Sequence, residues 1–181
     1  MTKFFDLLNL TREQEKNFWY KKTVSANTTL LYEGDVADKI YFIEKGALRL
    51  WNNDDGKDIT FQFFFEGQIV ASYESFHLEK PSIFSIEAIE DTELLILDKK
   101  KLKLLIKDST DLIYFMMDQL SERFIAYTDY FLSRIKESPE KRYVSLLEKN
   151  PELVKRVADQ YIASFLGITP VSLSRIKKRI M

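Results

Sequence analysis

The twenty residues 159–178, DQYIASFLGITPVSLSRIKK, constrain the fold of this chain more than any other stretch. With Asp159 as the first position, Ala163 is a small residue at the fifth and Gly167 a glycine at the ninth. Ile162, Leu166, Ile168, Leu173 and Ile176 fill the fourth, eighth, tenth, fifteenth and eighteenth. Two helices that cross at roughly 90–120° through a short turn need a small residue where they touch, a glycine in the turn and apolar pins on both. Thr169-Pro170 opens the second helix with a capping hydroxyl and a proline suited to the first turn. The residues of that helix not needed for packing are Val171, Ser172, Ser174, Arg175, Lys178 and Arg179. In a DNA major groove, Arg175 has the fork geometry for guanine, Ser172 bonds either base type and Val171 meets a thymine methyl. Thr169, Ser174, Lys178 and Arg179 suit phosphates, which add affinity without sequence information.

Charge follows the same division. Residues 141–181 carry nine Lys or Arg against three acids, whereas the whole chain has a net charge of −1. A basic tail on an acidic body fits a protein that meets a polyanion at one end.

The rest of the chain reads as a β-rich body followed by helices. From Leu30 to Leu97 the apolar residues fall in short β-branched and aromatic runs at 40–43, 47–51, 59–65, 83–89 and 94–97. Ile59, Phe61, Phe63 and Phe65 alternate with polar residues and should share one buried strand face. Gly34, Gly46, Gly56 and Gly67 recur at intervals of 10 to 12 residues, the spacing of turns in an antiparallel roll. The clearest hairpin tip is Asn52-Asn53-Asp54-Asp55-Gly56. Thr11-Arg12-Glu13-Gln14 has capping-box form and predicts a short helix over 12–19, while Asp98 caps another from Lys99 to Ile106.

Between Asp111 and Lys136 there is neither Gly nor Pro, and Ile113, Met117, Leu120, Phe124, Tyr127 and Phe131 recur at spacings of three and four. That is the seam by which two helices pack along a supercoil, so self-association through this helix is expected. Leu112, Met116 and Leu132 lie off the seam and are free to face the β domain. Ser138-Pro139 starts the next helix, and Asn150-Pro151 ends it near Lys149.

Several chemistries are excluded. The chain has no cysteine, and His77, placed in a loop, is its one histidine. Thiolate metal sites, iron-sulfur clusters, disulfides, cysteine nucleophiles and histidine-rich metal sites therefore lack their residues, and the lone His77 is expected to be structural or solvated rather than catalytic. No metal, cofactor or enzymatic activity is expected, and a β-roll enzyme of the cupin kind is disfavoured. No uncharged run nears the roughly 18 residues needed to span a bilayer. The opening MTKFFDLLNLTREQE lacks the apolar core and cleavage site of a signal peptide, so the cytoplasm is the expected compartment and no membrane partner is expected.

The resulting order is α+β: a β-roll sensor over 1–109, a dimerisation helix over 110–137 and a helix-turn-helix domain over 138–181. It resembles the Crp/Fnr family of bacterial regulators. Tyr32-Glu33-Gly34-Asp35 with Ile40-Tyr41-Phe42-Ile43-Glu44-Lys45-Gly46 is similar to the opening of that family's jelly-roll-like cyclic-nucleotide-binding roll, and Phe65-Glu66-Gly67-Gln68-Ile69-Val70 to its next landmark. The resemblance implies a homodimer joined through the long helix, a palindromic double-stranded DNA site, RNA polymerase as partner if the protein activates, and an effector that repositions the DNA-binding domains. Nucleotide-binding members follow the second landmark with Gly-Glu for the ribose and later an Arg for the cyclic phosphate. Here the segments read Ala71-Ser72-Tyr73-Glu74-Ser75-Phe76 and Lys80-Pro81-Ser82-Ile83-Phe84, with Ser82 at the arginine's place. Tyr127 and Thr128 stand where the family contacts the purine. Tight binding of cyclic AMP is thus not expected, and Tyr73, Glu74, Lys80, Ser82, Tyr127 and Thr128 become the candidate lining for an unknown small-molecule effector. The chain ends at Met181 without the family's β-hairpin wing, which predicts fewer DNA contacts. The competing reading is a small-molecule-binding roll whose helical tail contacts protein rather than DNA.

Overall fold

A computed structural model describes residues 18–107 and 109–180. Most of the helix expected over 12–19 lies outside these residues, and at its end Trp19 already belongs to a strand. The strands are β1 (Trp19–Val24), β2 (Thr29–Leu31), β3 (Lys39–Lys45), β4 (Leu48–Asp54), β5 (Lys57–Phe64), β6 (Ile69–Val70), β7 (Ser85–Ala88) and β8 (Thr92–Asp98). They form two four-stranded sheets, ordered β1-β8-β3-β6 and β2-β7-β4-β5. The five apolar runs appear as β3, β4, β5, β7 and β8. β1 escapes the pattern because only its ends, Trp19 and Val24, are buried. Backbone pairing with β8, from Trp19 opposite Leu97 to Val24 opposite Thr92, makes it a strand.

The turn glycines do the work their spacing suggested. At the β4–β5 tip Asp55 and Gly56 have φ of 48° and 84°, the mirror-image turn that suits a twisted ribbon, and the Gly56 N–H donates to Asn53 Oδ1 at 2.8 Å. Gly46, at φ 99°, cannot be replaced for a second reason: a Cβ there would lie 2.7 Å from Thr92 Cα and 2.8 Å from the Asp91 carbonyl. The close approach of β8 beneath the β3–β4 turn requires a bare backbone.

On β5 the burial differs from simple alternation. Phe63 is buried, but Ile59, Phe61 and Phe65 are half-buried, while Thr60 and Phe64 on the opposite face are fully buried. Both faces of this strand are covered, so a two-residue period reports its conformation without reporting which side is wet.

Helices complete the roll. α1 (Tyr73–Leu78) replaces the loop expected around His77 and closes on Glu79 in the left-handed region. α2 (Lys99–Lys107) and the start of α3 (Thr110–Lys136) bury Leu102, Leu105 and Leu112 against Trp19, Ile40, Phe42 and Leu97, with Phe115 and Met116 packed alongside. Leu112 and Met116 thus face the sheets as their off-seam positions suggest, whereas Leu132 is exposed.

After α3 come α4 (Pro139–Lys149), α5 (Pro151–Arg156), α6 (Asp159–Leu166) and α7 (Pro170–Ile180). The Ser138 hydroxyl caps α4 by accepting from the Lys141 amide at 3.3 Å. α5 was not expected; Asn150-Pro151 ends one helix and its proline, at the first turn, begins the next.

By contact density the chain divides into two units. One contains the described residues up to Asn52 together with Phe63–Ser121, and the other contains Asn53–Gln62 and the residues from Glu122 onward. The boundary therefore falls inside α3, and the tip of the β4–β5 ribbon belongs with the helices. The core of the helical unit is Tyr143, Leu153, Val157, Ile162, Ala163, Leu166, Leu173 and Ile176. Among the described residues no helix is long and apolar enough to cross a membrane, and no group of three or more His, Cys, Asp or Glu is placed to hold a metal ion.

Candidate functional site

Helices α6 and α7 form the turn that the sequence pattern requires. Gly167 takes φ 69° and its amide caps α6, while the Ile168 amide donates to the Ala163 carbonyl at 3.0 Å. Of the five apolar pins, Ile162, Leu166, Leu173 and Ile176 are buried, as is the small Ala163, whereas Ile168 is half-buried. Thr169 Oγ1 accepts from the Ser172 amide at 3.2 Å, the capping contact expected at the start of α7.

α7 turns Val171, Ser174, Arg175, Lys178 and Arg179 outward. Three of the residues picked for DNA contact, Thr169, Ser172 and Arg179, have partners in the protein itself. The Ser172 hydroxyl sits 3.0 Å from that of Thr169, so it is half-buried and tied to the cap. Arg179 pairs with Glu140 at 2.6 Å, which directs it toward α4. Lys177 is bonded to Asp159 and braces the two helices of the motif. Val171, Ser174, Arg175 and Lys178 remain as one exposed face.

A second feature of the helical unit was not visible in the sequence. β5 is the last strand of its sheet, and along its outer edge the Thr60 amide donates to Ser164 Oγ at 2.8 Å while Ser164 Oγ donates to the Asp58 carbonyl at 2.8 Å. One hydroxyl on α6 thus satisfies two edge groups that a neighbouring strand would otherwise take. Tyr127 adds a hydrogen bond to Gln62 on the same ribbon.

Among the described residues, the seam side chains of α3 are exposed. Ile113, Met117, Leu120 and Tyr127 are exposed, and Phe124 and Phe131 reach 72 % and 64 % exposure. Leu112 is the one α3 side chain in the core.

In the roll, the candidate effector residues Tyr73, Glu74, Lys80 and Ser82 fall in two different environments. Tyr73, Glu74 and Lys80 are exposed on and after α1, with the Tyr73 ring stacked on His77 at 5.7 Å. Ser82 is buried instead, its hydroxyl 2.8 Å from that of Ser72 and donating to the Phe84 carbonyl at 2.6 Å. Thr128, on α3 in the helical unit, bonds the Phe124 carbonyl of its own helix at 3.0 Å. The segments 71–76 and 80–84 are thus joined by a pair of neutral hydroxyls.

Sequence reasoning also missed a buried ion pair. Arg49 on β4 and Glu87 on β7 are register partners, 2 % and 7 % exposed, and Arg49 Nε donates to Glu87 Oε1 at 3.1 Å. The guanidinium lies 4.9 Å from the centre of the Trp51 ring, a cation–π contact. The available signal was a lone arginine inside the apolar run Leu48-Arg49-Leu50-Trp51. Among the described residues it is the one cationic side chain at core levels of burial, and its charge is already met by a carboxylate.

Comparison with known proteins agrees with this geometry. Residues 21–109 match the cyclic nucleotide-binding domain family. The chain is 32% identical over 84 residues to the anaerobic regulatory protein of Bacillus subtilis, a match that covers 46% of this chain and 35% of that protein. A crp/fnr family transcriptional regulator from Eubacterium rectale superposes with a TM-score of 0.75 at 23% identity, over 98% of this chain and 87% of the other. FixK2 from Bradyrhizobium japonicum gives 0.75 at 17% identity, over 90% and 84%. The chain thus shares its fold with these regulators, and residues 21–109 carry the match to the cyclic nucleotide-binding domain.

Removing one member of a buried pair strands the other charge. Arg49→Met is expected to cost about 3–5 kcal/mol of stability, and adding Glu87→Leu should recover most of it. Urea denaturation of the two single variants and the double variant measures this.

Proposed function

We propose that this protein is a homodimeric, sequence-specific DNA-binding transcription regulator that reads a palindromic site with α7. The observation that carries the reading is the exposed face of Val171, Ser174, Arg175 and Lys178 on a helix whose opposite face is pinned by Leu173 and Ile176. Arg175 is the principal base reader, because its guanidinium is outward and long enough for a bidentate contact with guanine. Val171 supplies an apolar contact to a thymine methyl, and Ser172 joins only by giving up its bond to Thr169. Thr169, Ser174 and Lys178 bind phosphate, and Arg179 does so in competition with Glu140.

The apolar seam of α3 supports the dimer. Six large side chains at heptad spacing are exposed, and burying each is worth roughly 1.5–3 kcal/mol. A second copy provides a matching surface, and its two-fold symmetry would place half-sites about 34 Å apart. A cytoplasmic location follows from a chromosomal target, and RNA polymerase is a partner if the protein activates.

Cyclic AMP is not the effector in this reading. A cyclic phosphate buried in the roll needs a charged fork, and the chain offers the Ser72–Ser82 hydroxyl pair where the family has its ligands. Any small-molecule effector acts elsewhere or through different chemistry.

With a site selected from random DNA pools, Arg175→Ala should weaken binding about 5- to 150-fold and relax base preference at one position per half-site. Lys178→Ala should weaken all sequences alike and lower the salt slope by about 1. Equal, salt-independent binding by wild type and Arg175→Ala would end the DNA reading. Phe124→Glu should give a monomer by light scattering, and a wild type already monomeric at micromolar concentration would contradict the seam. Millimolar cyclic AMP or cyclic GMP should leave the melting temperature within about one degree; a shift of several degrees would show that the roll accepts a nucleotide.

A further inference from the structure

A helix-turn-helix reads two half-sites well only if each recognition helix is held at a set angle to the element that joins the two copies. The packing does not supply that hold. The second half of α3, from Glu122 on, contributes no side chain to the core of the helical unit. An open cleft of about 610 Å³, lined by Tyr130, Ser133, Lys136, Arg142, Leu146 and Phe165, lies along the junction. Close-packed apolar contact therefore does not fix the angle between α3 and the reading motif.

Polar contacts do. α6 ends at Leu166, where its last carbonyls have no partner within the helix. The Phe165 carbonyl accepts from the Tyr130 hydroxyl at 3.2 Å and from Arg134 Nη1 at 3.4 Å. The Leu166 carbonyl accepts from Arg142 Nη2 at 2.8 Å, and the other arm of the same guanidinium, Nη1, donates at 2.6 Å to the Glu137 carbonyl just past the end of α3. One arginine thus joins the C-terminal ends of two helices, and both guanidinium groups sit where helix dipoles favour positive charge. The Tyr130 ring stacks on Phe165 at 5.2 Å, and Arg134 lies 5.8 Å from the centre of the Tyr130 ring. Gly167 is part of the same construction, since a Cβ there would fall 2.5 Å from Arg134 Nη1 and 2.9 Å from Nη2. Burial and the neighbouring Arg134 charge hold the Arg142 guanidinium below its usual pKa, and its Nε is buried without a hydrogen-bond partner. An arginine kept there at such a cost has a geometric task that an apolar residue would not perform.

We propose that Tyr130, Arg134 and Arg142 form a bracket that fixes the helix-turn-helix against the second half of α3, making them positioning residues for DNA recognition. The bracket stands on intrachain geometry, and only its effect on half-site spacing rests on the DNA-binding dimer proposed above. Lysine cannot substitute at position 142, because a single ammonium does not span carbonyls on two helices in a planar fork.

The absence of cysteine makes a direct test simple. Spin labels are placed on the full-length chain at Ile125→Cys and Lys178→Cys, both exposed and both in the helical unit, and the labelled protein is diluted with excess unlabelled chain. Pulsed dipolar spectroscopy then reads the distance within one protomer. The unsubstituted bracket should give a single narrow distribution, and Arg142→Lys or Arg134→Gln should at least double its width. These two changes keep size and polarity, and thermal unfolding verifies that each variant is folded. Folded variants with unchanged width and mean would overturn the proposal. In a second arm, about two base pairs are inserted between the half-sites of the selected DNA. The unsubstituted protein should lose at least about tenfold in affinity, and Arg142→Lys less than about threefold. An equal loss in both would also overturn the bracket, whereas failure of the unsubstituted protein to bind DNA refutes the DNA reading and leaves the distance measurement to decide.

Discussion

The helix α3 carries the constraint on which the rest of the structure depends. It starts as part of one core, with Leu112 buried and Phe115 and Met116 packed beside it, and runs for 27 residues in all, with many of its other apolar side chains exposed. Water meets Phe124 and Phe131 over most of their surface. Such a helix is not a finished object in isolation. Its seam leaves apolar surface exposed, and toward the helix-turn-helix its second half offers the Tyr130–Phe165 ring stack but no side chain buried in that core. Hydrogen bonds to helix-terminal carbonyls are the remaining way to fix direction, and Tyr130, Arg134 and Arg142 supply them.

The roll holds its shape by pairing its buried polar groups with one another. An interior built around a phosphate must provide a cation with no protein counter-charge. Here the buried cation, Arg49, is matched by Glu87 across the β4–β7 ladder, and Ser72 and Ser82 satisfy each other. A pair of buried opposite charges and a pair of mutually bonded hydroxyls leave little electrostatic work for an anion to do. The family fold is thus preserved by strand pairing and apolar packing, which are indifferent to what the interior binds.

How much was legible in advance depended on the range of the interaction. Gly167, Thr169-Pro170 and the five apolar pins of the motif act within about twenty residues of one another, so their spacing was enough to place α6 and α7 and to say which side of α7 faces out. The seam of α3 was legible for the same reason. β1 was not, because its middle residues face water and only the distant β8 makes it a strand. Arg49 stood out as an arginine in an apolar run, yet its partner lies 38 residues away. Arg179 lies on the outer side of the helix while Ser172 is half-buried, and their bonds to Glu140 and Thr169 depend on side-chain directions that spacing does not encode.

The sequence by itself determined the glycines that close the turns, the helix-turn-helix and the absence of cysteine for thiol chemistry. Those are decided by local backbone preference and by the inventory of side chains. Tertiary structure alone decided which buried polar groups meet: Ser72 with Ser82, Arg49 with Glu87, Ser164 with the edge of β5, and Arg142 with the ends of two helices. Each is a pairing between residues far apart in the chain. A buried polar group must find a partner somewhere, but only the folded backbone determines which one is within about 3 Å.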